Sequence, residues 1–132
     1  MGIESTSDPF RICGACKCAW STGDGFVQDP EVRLLGLQSL AAEPGCNLLV
    51  FEHRCGSSIS VLARRLRYLL PEPEPAVPLP VLFGARECRG HCRLLKDLEA
   101  CDAPCDNVRD RALILFIQSL KNPAGKPVEQ PQ

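Results

Sequence analysis

Nine of the 132 residues are cysteine, and their spacing raises the first question of chemistry. Cys13-Gly14-Ala15-Cys16 places two thiols two residues apart, so that a tight turn offers both sulfurs to one tetrahedral metal ion. A second pair must complete such a shell. His53 and Cys55 are the best partners if the backbone turns after His53 and at Gly56. Cys18 competes for the fourth place, because Cys13, Cys16, Cys18 and Cys55 would also make a site, one of four thiolates.

A second cluster consists of Cys88, Cys92, Cys101 and Cys105, with His91 as an alternative ligand. If both pairs are helical, each sets two sulfurs at i and i+4 on one face, which suits helix-mounted ligands. One zinc ion would need all four thiolates within a few ångströms, hence a turn at Gly90 or after Cys92. Cysteine-only ligation also admits an iron-sulfur cluster, and a dithiol/disulfide pair within 88–105 is the other redox alternative. His91 precedes Cys92 instead of following a Cys-x-x-Cys pair, which excludes covalent haem attachment. Buried thiols without any such role are inert packing groups, the reading given to Cys46.

Fifteen basic against sixteen acidic side chains give a formal charge of -1, which excludes the strongly basic surface of a non-specific nucleic-acid binder. Arg54, Arg64, Arg65 and Arg67 read as a solvated helix face. Residues 1 to 12 lack the basic start and apolar run of a secretory signal, and no apolar stretch is long enough to span a bilayer. The expectation is a cytoplasmic protein with reduced thiols and no membrane contact. No phosphate-cradling glycine loop, Gly-x-Ser-x-Gly elbow or His-Glu-x-x-His helix is present, so a non-catalytic role is expected. Cys55 beside His53 is the one nucleophile candidate.

The elements expected to carry these groups divide at a bridge, 71–80, whose prolines exclude helix and central strand. Before it lies a cysteine-rich lobe, 11–70, and after it a helical lobe, 81–121; residues 1–10 read as a flexible N-terminus and 122–132 as a disordered tail. Within the first lobe, Ser21 to Gly25 reads as a turn, and Asp29 caps a helix running to about Ala42 through Val32, Leu35, Leu37 and Leu40. Asn47 to His53 reads as a buried strand. Ser57 or Ser58 caps a second helix with Ile59, Leu62, Leu66 and Leu69 on one face. In the second lobe, helices are expected over 87–100 and from about Asp106 to Ser119, the last apolar over a wide arc. The expected fold is α+β, a small and mostly helical cysteine-rich domain with one or two short strands, in two lobes joined by a proline-rich linker.

Arg11-Ile12-Cys13-Gly14-Ala15-Cys16-Lys17, Gly25-Phe26-Val27-Gln28 and Phe51-Glu52-His53-Arg54-Cys55 resemble the short cysteine-histidine element that follows sensory domains in many bacterial signal-transduction proteins. That element reads Ile-Cys-x-x-Cys-Lys, an aromatic stretch, then Phe-Ser-His-x-x-Cys-x-x-Cys. Gly56-Ser57-Ser58 stands where its last cysteine is expected, so the site falls to His53 or to Cys18, or is lost. The resemblance covers about 45 residues and implies bacterial signalling or regulation, not a particular ligand. Joined to the residue chemistry, it gives the leading expectation of a zinc-binding regulatory or protein-interaction domain.

Overall fold

A computed structural model of the chain describes residues 8–39, 46–77, 79–82, 86, 88–103 and 105–121. The order of elements is β1 (Arg11–Ile12), β2 (Ala19–Trp20), α1 (Gly23–Gln28), β3 (Val32–Gln38), β4 (Leu48–His53), β5 (Ser58–Leu62) and α2 (Asn107–Lys121). The strands β1 and β2 form a two-stranded ribbon, and β3-β4-β5 form an antiparallel sheet. The fold is α+β, but five strands in two sheets replace the mostly helical domain with one or two strands that the sequence suggested. No helix among the described residues is long and apolar enough to cross a membrane.

Two of the expected helices are strands. The segment after Asp29 extends as β3, in which Val32, Leu34, Gly36 and Leu37 are buried. A register shift between Leu34 and Gly36 breaks the alternation, and the resulting spacing of apolar residues imitates a helix. The described part of the expected helix ends at Ser39, and residues 40–45 lie outside the description. Likewise Ile59 to Leu69 is a strand followed by two 3-10 turns, Ala63–Arg65 and Arg67–Leu69, and this succession mimics one apolar helical face. The strand expected over 47–53 is present as β4, which alternates so that Leu49, Phe51 and His53 point inward.

The glycine-rich segment read as a turn is instead α1. Thr22 caps it by accepting the Gly25 N–H at 3.0 Å, while Phe26 and Val27 are buried. At Gly23 a Cβ would stand 2.6 Å from the Tyr68 hydroxyl oxygen and 2.9 Å from Leu66 Cδ2, so the helix start needs glycine for close packing. The core joins Phe26 and Val27 to Leu37, Leu49, Phe51 and Ile59 of the sheet and to Leu113, Ile114 and Ile117 of α2. Helix α2 presents its inward stripe at the helical period, and Leu115 remains 43% exposed, so its apolar arc is narrower than expected.

The stripe of α2 begins polar. Asn47 Nδ2 donates to Asn107 Oδ1 and to Asp110 Oδ2, both at 2.7 Å. Arg67 Nε donates to Asp110 Oδ1 at 2.8 Å, and its Nη2 to Asp106 Oδ2 at 2.9 Å. The proline-rich segment lies along the same helix: Arg109 donates to the carbonyls of Pro73 (2.9 Å) and Glu72 (3.1 Å).

No α-helix forms over the described part of 87–100, which holds one 3-10 turn, His91–Arg93. Gly90 is left-handed with φ 88°, and Arg111, fully buried on α2, takes the carbonyls of His91 (3.4 Å), Asp97 and Glu99 (2.9 Å). The left-handed step at Gly90 and the turning of these three carbonyls toward one guanidinium hold the segment in a non-helical path.

Leu37 N–H donates to the Leu95 carbonyl at 3.2 Å, and a Cβ on Gly36 would lie 1.6 Å from that same oxygen. Gly36→Ala is therefore expected to lower stability by about 1–3 kcal/mol in urea denaturation. Gly14→Ala, at a glycine with nothing within 4 Å, should change it by no more than about 0.5 kcal/mol. Equal midpoints for the two variants would refute the close approach.

Asp29 follows α1 and ties four elements together. Its carboxylate accepts from Trp20 Nε1 at 2.7 Å and from the Glu31 N–H at 2.8 Å, and its carbonyl accepts from Lys121 Nζ at 3.0 Å. Burial pushes its pKa up, but the Trp20 and Glu31 donors outweigh burial and hold it below the ordinary carboxylate value. A folded pKa below the unfolded one gives stability that is full above the unfolded value and lost as pH falls through the folded one. Asp29→Asn should cost about 1–2 kcal/mol at pH 7, with the deficit shrinking below about pH 4. A deficit independent of pH from 7 to 3 would contradict the shift.

Candidate metal centre

Two hairpins bring the site together. The ribbon β1-β2 closes around Cys13–Cys16: the Cys13 N–H donates to the Cys18 carbonyl at 2.8 Å, and the Lys17 N–H donates back to the Cys13 carbonyl at 2.9 Å. Lys17 makes the left-handed step, with φ 68°, so the turn's conformational demand falls there and not on Gly14. Between β4 and β5 the chain reverses through Gly56, at φ 93°, with the Gly56 N–H donating to the His53 carbonyl at 2.7 Å. His53 is the last inward residue of β4, and the reversal returns Cys55 to the same place.

Cys13, Cys16, His53 and Cys55 thereby meet, with their ligand atoms all within 4.8 Å of one another. Cys13 Sγ lies 3.6 Å from Cys55 Sγ, and Cys16 Sγ lies 3.5 Å from His53 Nδ1. Zinc bonds of about 2.3 Å to sulfur and about 2.0 Å to nitrogen put tetrahedral ligand atoms about 3.5–3.8 Å apart, so these separations suit one ion. Cys13 and His53 are buried while Cys16 and Cys55 are exposed. The cluster is a Cys3His set able to hold a metal ion, more suited to zinc than to an iron-sulfur cluster.

The surroundings favour thiolates before any metal arrives. The Cys16 N–H, then the Ser57 hydroxyl, pull the Cys13 thiol down to about 5. The Ser57 hydroxyl and N–H, then His53, hold Cys55 below the ordinary thiol value. Ser57 Oγ stands 3.2 Å from Cys13 Sγ and 3.1 Å from Cys55 Sγ. At Cys16 the Cys18 N–H also favours the thiolate, but burial and the neighbouring Cys13 and Cys55 sulfurs outweigh it and push the thiol up. His53 is raised, by Cys55 first and Cys13 next, against its burial. Its ring packs edge-on against Trp20 at 5.1 Å, and among the described residues its buried Nε2 has no hydrogen-bond partner, so the polarity of the ring is directed through Nδ1.

Cys18 lies outside the quartet and serves it through its backbone, with its carbonyl on Cys13 and its N–H on Cys16. Cys46 is half-buried and belongs to no metal-sized group among the described residues. Cys88, Cys92, Cys101 and Cys105 do not bring three ligand atoms into one such sphere, and His91 directs Nδ1 to Asp97 Oδ2 at 3.0 Å. The four arginines read as one helix face are dispersed: Arg54 pairs with Glu31, Arg65 lies over the Phe10 ring, and Arg67 is taken by Asp106 and Asp110. Ser57 and Trp20 were not singled out as site residues from sequence; the signal available for Ser57 was its place two residues after Cys55.

The chain matches no protein-family model, and no curated protein or solved structure is significantly similar to it.

The two alternative shells separate by substitution. His53→Ala, Cys13→Ser, Cys16→Ser and Cys55→Ser are each expected to strip the ion from this site, because a tetrahedral structural site that loses one ligand loses much of its affinity. Cys18→Ser should keep it. Metal per chain by elemental analysis at matched thiol reduction is the measurement, and loss in Cys18→Ser with retention in His53→Ala would reverse the assignment.

Proposed function

We propose that this is a non-catalytic domain in which Cys13, Cys16, His53 and Cys55 hold a structural zinc ion and whose work is regulatory, through contact with a protein partner. The observation that carries the reading is the meeting of four protein ligands from two hairpins. A shell filled by four side chains has no open position for water or substrate, which is the mark of structural rather than catalytic zinc. One histidine among three cysteines fits zinc and leaves the net charge of the occupied site at only -1, a modest cost for its half-buried position.

The regulatory part rests on the likeness of 11–17 and 51–55 to the cysteine-histidine element of bacterial signalling proteins, and on Ile12, which is 49% exposed beside the knuckle and offers an apolar contact next to the metal.

The experiment is native mass spectrometry of the protein purified under reducing conditions, combined with thermal unfolding during chelation. Zinc bound at the quartet, and released in step with unfolding, is the expected result. A metal-free protein that stays folded after prolonged chelation would end this reading.

A further inference from the structure

Backbone N–H groups favour the thiolate at each sulfur of the quartet, Cys16 and then Ala15 at Cys13, Cys18 at Cys16 and Ser57 at Cys55. Such donors stabilise a thiolate and aim its remaining lone pairs away from the chain. The signature recurs far from the quartet. Cys88 Sγ accepts the Gly90 N–H at 3.4 Å, with Gly90 left-handed as a knuckle requires, and Cys105 Sγ accepts the Asn107 N–H at 3.4 Å and the Leu82 N–H at 3.1 Å.

Two further contacts gather these segments. Arg89 Nε pairs with Asp102 Oδ1 at 3.0 Å, which ties the Cys88 turn to the chain beside Cys101. Asn107 links Cys105 to Cys92, its Nδ2 reaching Cys92 Sγ at 3.8 Å. Asn107 thus joins Cys92 to Cys105, and the Arg89–Asp102 pair joins the chain beside Cys88 to that beside Cys101, on a stretch whose described residues hold one 3-10 turn as their one regular element. Among its described residues, few apolar side chains before Cys105 are buried, Cys92 and Ala103, with Leu98 partly buried against the core, so the segment is held largely by polar bonds to Arg111 and Leu37.

We infer that Cys88, Cys92, Cys101 and Cys105 bind a second zinc ion, drawn into one tetrahedral shell when the metal enters. A four-thiolate zinc site carries a net charge of -2, and two guanidinium groups are in place to offset it. Arg111, fully buried and paired with Asp97, favours the Cys92 thiolate against its burial, and Arg89 pairs with Asp102 next to Cys101. A site of this kind need not be closed before binding, since metal affinity and local folding are one free energy. His91, held by Asp97, stays outside the shell. The inference is independent of the quartet, with which it shares no ligand.

The test counts zinc in the full chain, reduced and loaded with zinc, by native mass spectrometry. Two ions per chain are expected in the parent protein and one in the Cys88→Ser/Cys101→Ser variant, a halving, while His91→Ala keeps both. The Cys13→Ser/Cys55→Ser variant should retain the ion at 88–105. Should the first double variant fail to fold, cobalt titration of the metal-free Cys13→Ser/Cys55→Ser chain decides, with saturation at one equivalent expected and no binding fatal. A single zinc in the parent that only Cys13→Ser/Cys55→Ser removes would overturn the inference and leave the quartet intact. Zinc that only Cys88→Ser/Cys101→Ser removes would uphold it and overturn the quartet. A brown, iron-containing protein would refute zinc at the second site.

Discussion

The parity of β4 is the constraint on which the rest of the molecule depends. Side chains alternate along a strand, so the inward row of Leu49 and Phe51 ends on His53, and the imidazole reaches the site from the same face that builds the core. A slip of one residue would turn His53 to solvent and bring Glu52 inward beneath Trp20 and Phe26. Two neighbours hold the register. Strand β3 pairs Val32 with His53, and the first residues of β5 pair Ser58 with Glu52. Metal geometry and hydrophobic packing therefore specify one and the same strand alignment.

Around that alignment the protein uses polar groups at its joints and apolar groups between them. Asp29 joins α1 and the ribbon to the end of α2, and Asn47 joins β4 to its start. Arg67 closes the second joint from the 3-10 turns after β5, where burial opposes its charge but Asp110 and Asp106 favour it more strongly and raise its pKa. Each of these groups is costly to bury alone and acceptable in company, so the elements dock in the arrangement in which Asp29, Asn47 and Arg67 meet their partners.

The sequence disclosed the site better than the architecture. Cys13, Cys16, His53 and Cys55 were legible because metal ligands announce themselves by type and spacing, β4 because it is a short apolar and partly β-branched run, and α2 because apolar residues cover a wide arc of it. Strand β3 was not, since the shift at Gly36 puts two buried residues side by side and imitates helical spacing. Helix α1 was hidden by two glycines in three residues, a composition that reads as a turn; its formation depends on Tyr68 and Leu66, more than forty positions away, packing where no Cβ intrudes. Nothing in local composition could foretell that Arg111 would reach back and deny 87–100 its helix.

That last side chain has a consequence for how the chain can vary. Arg111 grips Glu99, His91 and Asp97 chiefly by their main-chain oxygens, which every amino acid possesses. The exposed side chains between them are thereby released from any duty of anchoring the loop, whereas the number of residues between the gripped carbonyls is fixed by the span of one guanidinium. At Arg93, Leu94 and Lys96, all exposed, the protein should accept changes of letter far more readily than changes of length.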